Sequence, residues 1–236
     1  MALLPLQIEG ACLGRRGRRW IGPVDLELGG SGTTIVIGPN GSGKTSLLRM
    51  MHGLERLREG TLQWSCPLEE ARSKQAFVFQ SPIMMRRSAL ENLAYPLRLG
   101  GMARKEAQAE ATVWLERVEL SKAANRDALR LSGGERQKLA LARALIRCPE
   151  VLFLDEPCAA LDGRATREIE AILQDASAAG TRLVMSTHDM GQARRLADEV
   201  IFVLGGRVHE YSPAARFFDQ PETPQAAAFL RGDIVE

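Results

Sequence analysis

Thr33-Thr34-Ile35-Val36-Ile37-Gly38-Pro39-Asn40-Gly41-Ser42-Gly43-Lys44-Thr45 is the stretch from which the 236-residue chain is best read. The first five residues form a short apolar, β-branched run that reads as a strand. The next eight satisfy G-x-x-x-x-G-K-[ST] in full, and a helical period follows over 42–54. A glycine loop between a strand and a helix is built to capture anions. Glycines let successive backbone N–H groups turn inward around phosphate, and the helix N-terminus adds the positive end of its dipole. Lys44 is placed as a point charge for β- and γ-phosphates, and the Thr45 hydroxyl suits Mg²⁺.

Outward from this loop, short apolar runs bounded by Gly, Pro or charge predict strands over 3–8, 24–28, 33–37, 76–79, 151–154, 182–186, 200–204 and 207–210. Helical periodicity covers 42–54, 88–99, 103–118, 133–146, 164–176 and 191–197. Strands alternating with helices predict a mostly parallel sheet wrapped by helices, with ligand loops at its carboxyl edge. From 81 to 130 the pattern is helical without a strand, punctuated by Gly100-Gly101, so a helical subdomain is expected within an α/β body formed by 1–80 and 131–236.

Composition narrows the class. The chain is 45% hydrophobic and 25% charged, ordinary for a globular protein, and the length suits one domain with an inserted lobe. A net charge of +2 gives no general attraction to nucleic acid, and no nucleic-acid partner is expected. The basic run Arg15-Arg16-Gly17-Arg18-Arg19 reads as a solvated hairpin turn. Cys12, Cys66, Cys148 and Cys158 are scattered without ligand spacing, and no stretch reaches the ~18 apolar residues of a spanning helix. With no basic segment ahead of the first apolar residues, the expectation is an intracellular protein that reaches a membrane only through a partner.

Two further motifs carry chemistry. Val151-Leu152-Phe153-Leu154-Asp155-Glu156-Pro157 is an apolar strand ending in two carboxylates and stopped by proline. Downstream of a phosphate loop, Asp155 is placed to hold Mg²⁺ and Glu156 to polarise a water attacking the γ-phosphate. Leu131-Ser132-Gly133-Gly134-Glu135-Arg136-Gln137 opens a helix with a good N-cap and two glycines, a second anion-binding N-terminus in a chain that already has one. One nucleotide needs one cradle, so the second calls for an explanation.

Together these residues resemble the ATP-binding cassette (ABC) ATPases, over essentially the whole chain. The stretch 38–45 looks like their Walker A motif, 151–156 like Walker B, and 131–137 like the signature motif. Gln80 resembles the Q-loop glutamine, Ala160-Leu161-Asp162 the D-loop, and His188 in Ser186-Thr187-His188-Asp189 the switch histidine. The resemblance implies a P-loop NTPase fold with antiparallel strands flanking the parallel sheet. It implies ATP contacts at Gly38, Pro39, Asn40, Gly41, Ser42, Gly43, Lys44, Thr45 and Ser46. Mg²⁺ would fall to Thr45, Gln80 and Asp155, and catalysis to Glu156, His188, Gln80 and Lys44. In the family two cassettes pack head to tail, so Ser132, Gly133, Gly134 and Glu135 would serve ATP held by a second copy, with Asp162 between them. A homodimer is the simplest such pair.

Two departures stand out. The family's aromatic ahead of Walker A, which stacks on adenine, is missing from Cys12-Leu13-Gly14-Arg15-Arg16. Either Leu13 packs on the base or an arginine stacks on it, and Trp20 is expected in the core. Cys158 and Ala159 replace commoner polar residues after Pro157; packing is expected of Cys158, with an oxidisable thiol the alternative. Ser81-Pro82-Ile83-Met84-Met85-Arg86-Arg87 lies where family transporters receive a helix of their transmembrane permease, and its apolar residues are either that docking surface or ordinary core. This stretch and the tail from Phe217-Phe218 to Gly232 resemble importers of small anions, of phosphate or of tungstate and molybdate. An extracytoplasmic solute-binding protein is then an indirect partner, and the cassette sits on the inner face of the cell membrane. An exporter or lipoprotein-release ATPase is the alternative. The chain ends about where a core cassette ends, which argues against an added cargo-sensing domain.

Overall fold

The computed structural model describes residues 2–15, 18–159, 161–233 and 235. Arg16 and Gly17 of the basic turn, and Ala160 of the D-loop stretch, lie outside them, as do the side chains of Arg15, Arg18 and Arg19.

The strand that opens the phosphate loop, β3 (Thr33–Ile37), is buried along its whole length. It pairs in parallel with β7 (Arg182–Ser186) on one side and β8 (Glu199–Leu204) on the other. β6 (Val151–Asp155) and β5 (Gln75–Val78) extend the sheet in parallel beyond β7, and β9 (Arg207–Pro213) closes the far edge antiparallel to β8. Strands covered on both faces need apolar residues at successive positions, which is why Val-Leu-Phe-Leu and Thr-Ile-Val-Ile runs identify them. A second, antiparallel sheet has the order β2 (Arg18–Leu28), β1 (Leu6–Arg15), β4 (Glu59–Trp64). Here the pattern alternates: Val24, Leu26 and Leu28 are buried, while Asp25 and Glu27 are exposed.

Helix α1 (Lys44–His52) lies between the two sheets, and Leu47, Leu48, Met50 and Met51 are all buried there. After α2 (Leu68–Lys74) and β5 the chain enters the helical lobe. There α3 (Ala89–Leu99), capped by Ser88 accepting from Glu91 N–H, packs on α4 (Arg104–Arg117) through Leu93, Ala94, Ala107, Ala111 and Leu115. The chain re-enters the body at α5 (Gly133–Leu145) and continues through β6, α6 (Gly163–Ala178), β7 and α7 (Met190–Leu196). Two short helices, α8 (Ala214–Asp219) and α9 (Pro224–Arg231), then cover β9. The carboxyl ends of β3, β5, β6 and β7 thus open at one edge, where the motif residues lie.

Sequence patterning misses β4, α2, α8 and α9. β4 reads Glu-Gly-Thr-Leu-Gln-Trp and is exposed over its first three residues, so no apolar run announces it. Trp20, expected in the core, is 42% exposed, and its neighbour Ile21 takes the inward position. Leu13 is 2% exposed and packed in the core under the antiparallel sheet, which removes it as a surface for a base.

Burial also shapes one titration. The His52 ring, at the end of α1, stands edge-on to Phe77 and Phe153, and desolvation lowers its pKa to about 4. Its unfolded value is near 6.5, so unfolding takes up a proton between these pH values. This contribution to stability is complete above pH 6.5 and is lost as pH falls toward 4. The melting temperature is expected to drop between pH 7 and 5, and His52→Phe to flatten that slope. An unchanged slope in the variant excludes His52 as its source.

Candidate active site

Inside the loop 38–45 the Ser42 N–H donates to Pro39 O at 3.2 Å, and Ser42 O accepts from Gly206 N–H at 2.9 Å, contacts that hold its shape. Gly38 has φ +151, and a Cβ there would sit 2.0 Å from the Val203 carbonyl oxygen, so only glycine fits. Gly43, at φ +109, caps α1, and a side chain there would strike Ile21 at 2.6 Å. Gly41 also takes a positive φ but faces open space. The buried Lys44 ammonium curls back across the loop and donates to Gly38 O at 3.0 Å and Pro39 O at 3.2 Å. The Ser42 hydroxyl is buried without a partner, an orphan that a phosphate oxygen would satisfy.

Beneath the loop, Thr45 Oγ1 donates to Asp155 Oδ1 at 2.9 Å, and Ser186 Oγ donates to the same oxygen at 2.9 Å. This hydroxyl–carboxylate pair suits Mg²⁺, which binds through one or two protein oxygens and takes its other ligands from phosphates and water. Among the described residues no cluster of three or more His, Cys, Asp or Glu is arranged to hold a metal by itself.

Next along the strand, Glu156 has φ +44, a left-handed conformation costly for a residue with a Cβ. Its N–H is held by Ser186, at 3.2 Å from the carbonyl oxygen and 3.0 Å from Oγ. The twist aims its side chain at three of the residues singled out in the sequence. Gln80 Nε2 donates to Glu156 Oε2 at 3.4 Å, His188 Nδ1 lies 3.0 Å from the same oxygen, and Lys44 Nζ lies 3.7 Å from Oε1. Gln80 thus meets Glu156 rather than the Thr45–Asp155 pair. Ser186, to which the sequence assigned no role, joins both carboxylates. Its one sequence signal is its place at a strand end two residues before His188.

The residues 132–135 are elsewhere. Ser132 caps α5: its Oγ accepts from Glu135 N–H at 3.2 Å, and its N–H donates to Glu135 Oε2 at 2.7 Å. That bond, aided by Arg126, holds the Glu135 carboxyl below its ordinary pKa. Ser132 and Gly133 are exposed, and they line a cavity of about 500 Å³ with Leu161, Asp162 and Arg164. Asp162 caps α6, its Oδ1 accepting from the N–H groups of Arg164 and Ala165. Cys158 is partly buried against the core, and desolvation pushes its thiol up to about 11, which favours packing over reactivity. A further cavity, of about 490 Å³, separates body and lobe. It is lined by Phe79, Ile83, Tyr95 and three arginines, Arg72, Arg143 and Arg147, with no acidic side chain among the described residues. Ile83 is 78% exposed while Met84 is buried, so the Ile-Met-Met stretch divides between surface and core.

A phosphate loop, a hydroxyl–carboxylate pair for Mg²⁺ and a polarised glutamate at the carboxyl edge of a parallel sheet define a P-loop nucleotide hydrolase. The family model described as "ABC transporter" matches residues 21–159, and the chain belongs to that family. It is 35% identical over 251 residues to the phosphate import ATP-binding protein PstB 2 of Natronomonas pharaonis, covering 98% of this chain and 87% of that one. To the tungstate uptake system ATP-binding protein TupC of Peptoclostridium acidaminophilum it is 38% identical over 179 residues, covering 75% and 84%. To the glutamate transport ATP-binding protein GluA of Corynebacterium efficiens it is 35% identical over 217 residues, covering 88% and 90%. A solved ATP-binding subunit of an ABC transporter superposes with a TM-score of 0.80 at 21% identity, over 97% of this chain and 95% of that one, a likeness of fold. The protein is an ATP-hydrolysing transport subunit that uses ATP with Mg²⁺ and works with transmembrane permease partners. Among its described residues no helix is long and apolar enough to cross a membrane.

Proposed function

We propose that two copies of this chain bind ATP at their shared boundary and so drive uptake of a small oxyanion through a separate permease, from the cytoplasmic face of the membrane. The observation that carries the enzymatic part is the meeting of Lys44, Gln80 and His188 on one Glu156 carboxylate, beside the Thr45–Asp155 pair. When bound, ATP with Mg²⁺ supplies a γ-phosphoryl group whose negative charge is already partly neutralised. The chain's residues do the rest. Loop N–H groups of 38–46 and the Lys44 ammonium would hold the phosphates, and Thr45 and Asp155 would hold the cation. Glu156 Oε2 takes the proton of the attacking water, with Gln80 and His188 fixing the carboxylate's orientation.

The pairing rests on the exposed Ser132 and Gly133 at the N-terminus of α5, which line a cavity at the positive end of the helix dipole while Glu135 is occupied in the cap. Asp162 and Leu161 line the same cavity, as residues lying between two copies would. Ser132→Arg fills that cavity. It is expected to lower hydrolysis about 10²-fold, as loss of a preorganised donor does, with ATP affinity of the monomer unchanged. Full activity in this variant defeats the head-to-tail pair.

The groove of Phe79, Ile83 and Tyr95 is suited to a permease helix with an apolar stripe, and Arg72, Arg143 and Arg147 to carboxylates on that helix. Import of an anion is supported by relatives named for phosphate and tungstate uptake, with the glutamate relative widening the anion class. The cassette does not touch cargo, so the test is transport: proteoliposomes carrying the cassette, its permease and its solute-binding protein are expected to accumulate phosphate or tungstate on ATP addition. Accumulation of glutamate but neither oxyanion would correct the cargo, and outward movement would correct the direction.

A further inference from the structure

Behind the Glu156–His188 contact lies a polar cluster that the mechanism above does not use. Glu170, in the third turn of α6, is 7% exposed. Its Oε2 accepts from Arg195 Nε at 3.0 Å, and its Oε1 from Arg195 Nη2 at 2.7 Å and from Gln192 Nε2 at 3.1 Å. Both donors are on α7, the helix that begins two residues after His188. The Gln192 N–H in turn donates to Asp189 Oδ1 at 2.9 Å, and Asp189 N–H to Thr187 Oγ1 at 3.1 Å. A chain of bonds therefore runs from the Glu170 carboxylate through Gln192 to the two residues on either side of His188. Elsewhere the two helices touch loosely: a cavity of about 430 Å³ lies between Gln174, Ser177 and Ala178 of α6 and Arg195 and Leu196 of α7.

We propose that Glu170 is a positioning residue for hydrolysis: by clamping Gln192 and Arg195 it fixes α7 on α6 and so holds His188 against the Glu156 carboxylate. The proposal rests on the assignment of His188 and Glu156 above. A bidentate carboxylate–guanidinium pair is directional, and the second bond from Gln192 fixes the sense of α7 about its own axis. A seven-residue helix has too little apolar face to set that alone. The far end of α6 is capped by Asp162, so the same clamp ties His188 rigidly to the segment lining the 132–134 cavity.

The test is a kinetic double-mutant cycle with thermal melts as control. Glu170→Ala is expected to lower kcat about tenfold with KM for ATP within twofold. In a His188→Ala background the same change is expected to have no further effect, because the clamp acts through the histidine. Arg195→Met, which removes a half-exposed side chain and leaves the fold intact, should repeat the pattern if Glu170→Ala melts early. Losses that multiply in the double variant, or normal turnover in both Glu170→Ala and Arg195→Met, overturn the proposal while leaving the active site as assigned. A His188→Ala variant with wild-type kcat overturns the role of His188 and this proposal with it.

Discussion

Glu156→Gln is expected to lower ATP turnover by about 10²–10⁴-fold, the range for loss of a general base, and to hold the protein as an ATP-bound dimer. The carboxylate is the one group contacted by Lys44, Gln80 and His188 together. The amide has nearly the same shape, keeps an oxygen for His188 or Gln80, and loses the basicity. Folding should survive, because Lys44 retains Gly38 O and Pro39 O as partners and the Glu156 backbone remains bonded to Ser186. ATP affinity should also survive, because the loop amides and the Thr45–Asp155 pair are untouched. If closure follows binding and reopening follows hydrolysis, the variant accumulates in the closed state. Light scattering behind gel filtration is expected to report a dimer with ATP and a monomer with ADP. Turnover near wild type would remove Glu156 from the chemistry, and a monomer with ATP would remove the two-copy arrangement.

The candidate catalytic cluster is legible in the amino-acid sequence because its residues are tied to strand ends. Gly38, Asp155, Gln80 and His188 each follow an apolar run, and parallel strands bring their carboxyl ends to one edge. Ser186 is less legible, since a serine at a strand end is common and its two bonds to Asp155 and Glu156 depend on a twist that only Glu156's positive φ reveals. The polar edge strand Glu59–Trp64 is hidden for the opposite reason: it is made by pairing with β1, not by its own hydrophobicity. Trp20 misleads because a large aromatic is usually buried. Here Leu13 pairs with Ile21 and Gly14 with Arg19, so one extra residue, Trp20, is left over on β2 and the ordinary alternation fails. Glu170 and Arg195 lie 25 residues apart on two helices, and no local pattern links them.

Glu199→Ala is expected to cost about 3–5 kcal/mol of stability, as the removal of one partner from a buried ion pair does, and Arg182→Met considerably less. Arg182 begins β7 and is 2% exposed, although it is an arginine. Its Nη2 is bonded to Thr34 Oγ1 on β3 at 2.6 Å and to the Glu199 carboxylate at the start of β8, and its Nη1 to Ser31 O. Glu199 Oε2 also accepts from Tyr211 OH on β9 at 2.8 Å, so four adjacent strands are tied through one carboxylate. Burial, with Glu199 adding to it, raises the tyrosine's pKa and keeps it a donor. The two partners are not equivalent. Glu199 keeps a third of its side chain in solvent and can be hydrated if Arg182 is lost. Arg182 has no such outlet, its Nε is already without a partner, and loss of Glu199 strands a full charge inside the sheet. Methionine fills much of the arginine's volume and needs no partner. In a domain of this size the Glu199→Ala loss corresponds to a melting temperature lower by roughly 6–20 °C. The double variant is expected to be more stable than Glu199→Ala alone, since the stranded charge is gone. Equal losses for Glu199→Ala and Arg182→Met, or a double variant weaker than either, would show that the pair is too hydrated for this asymmetry to hold.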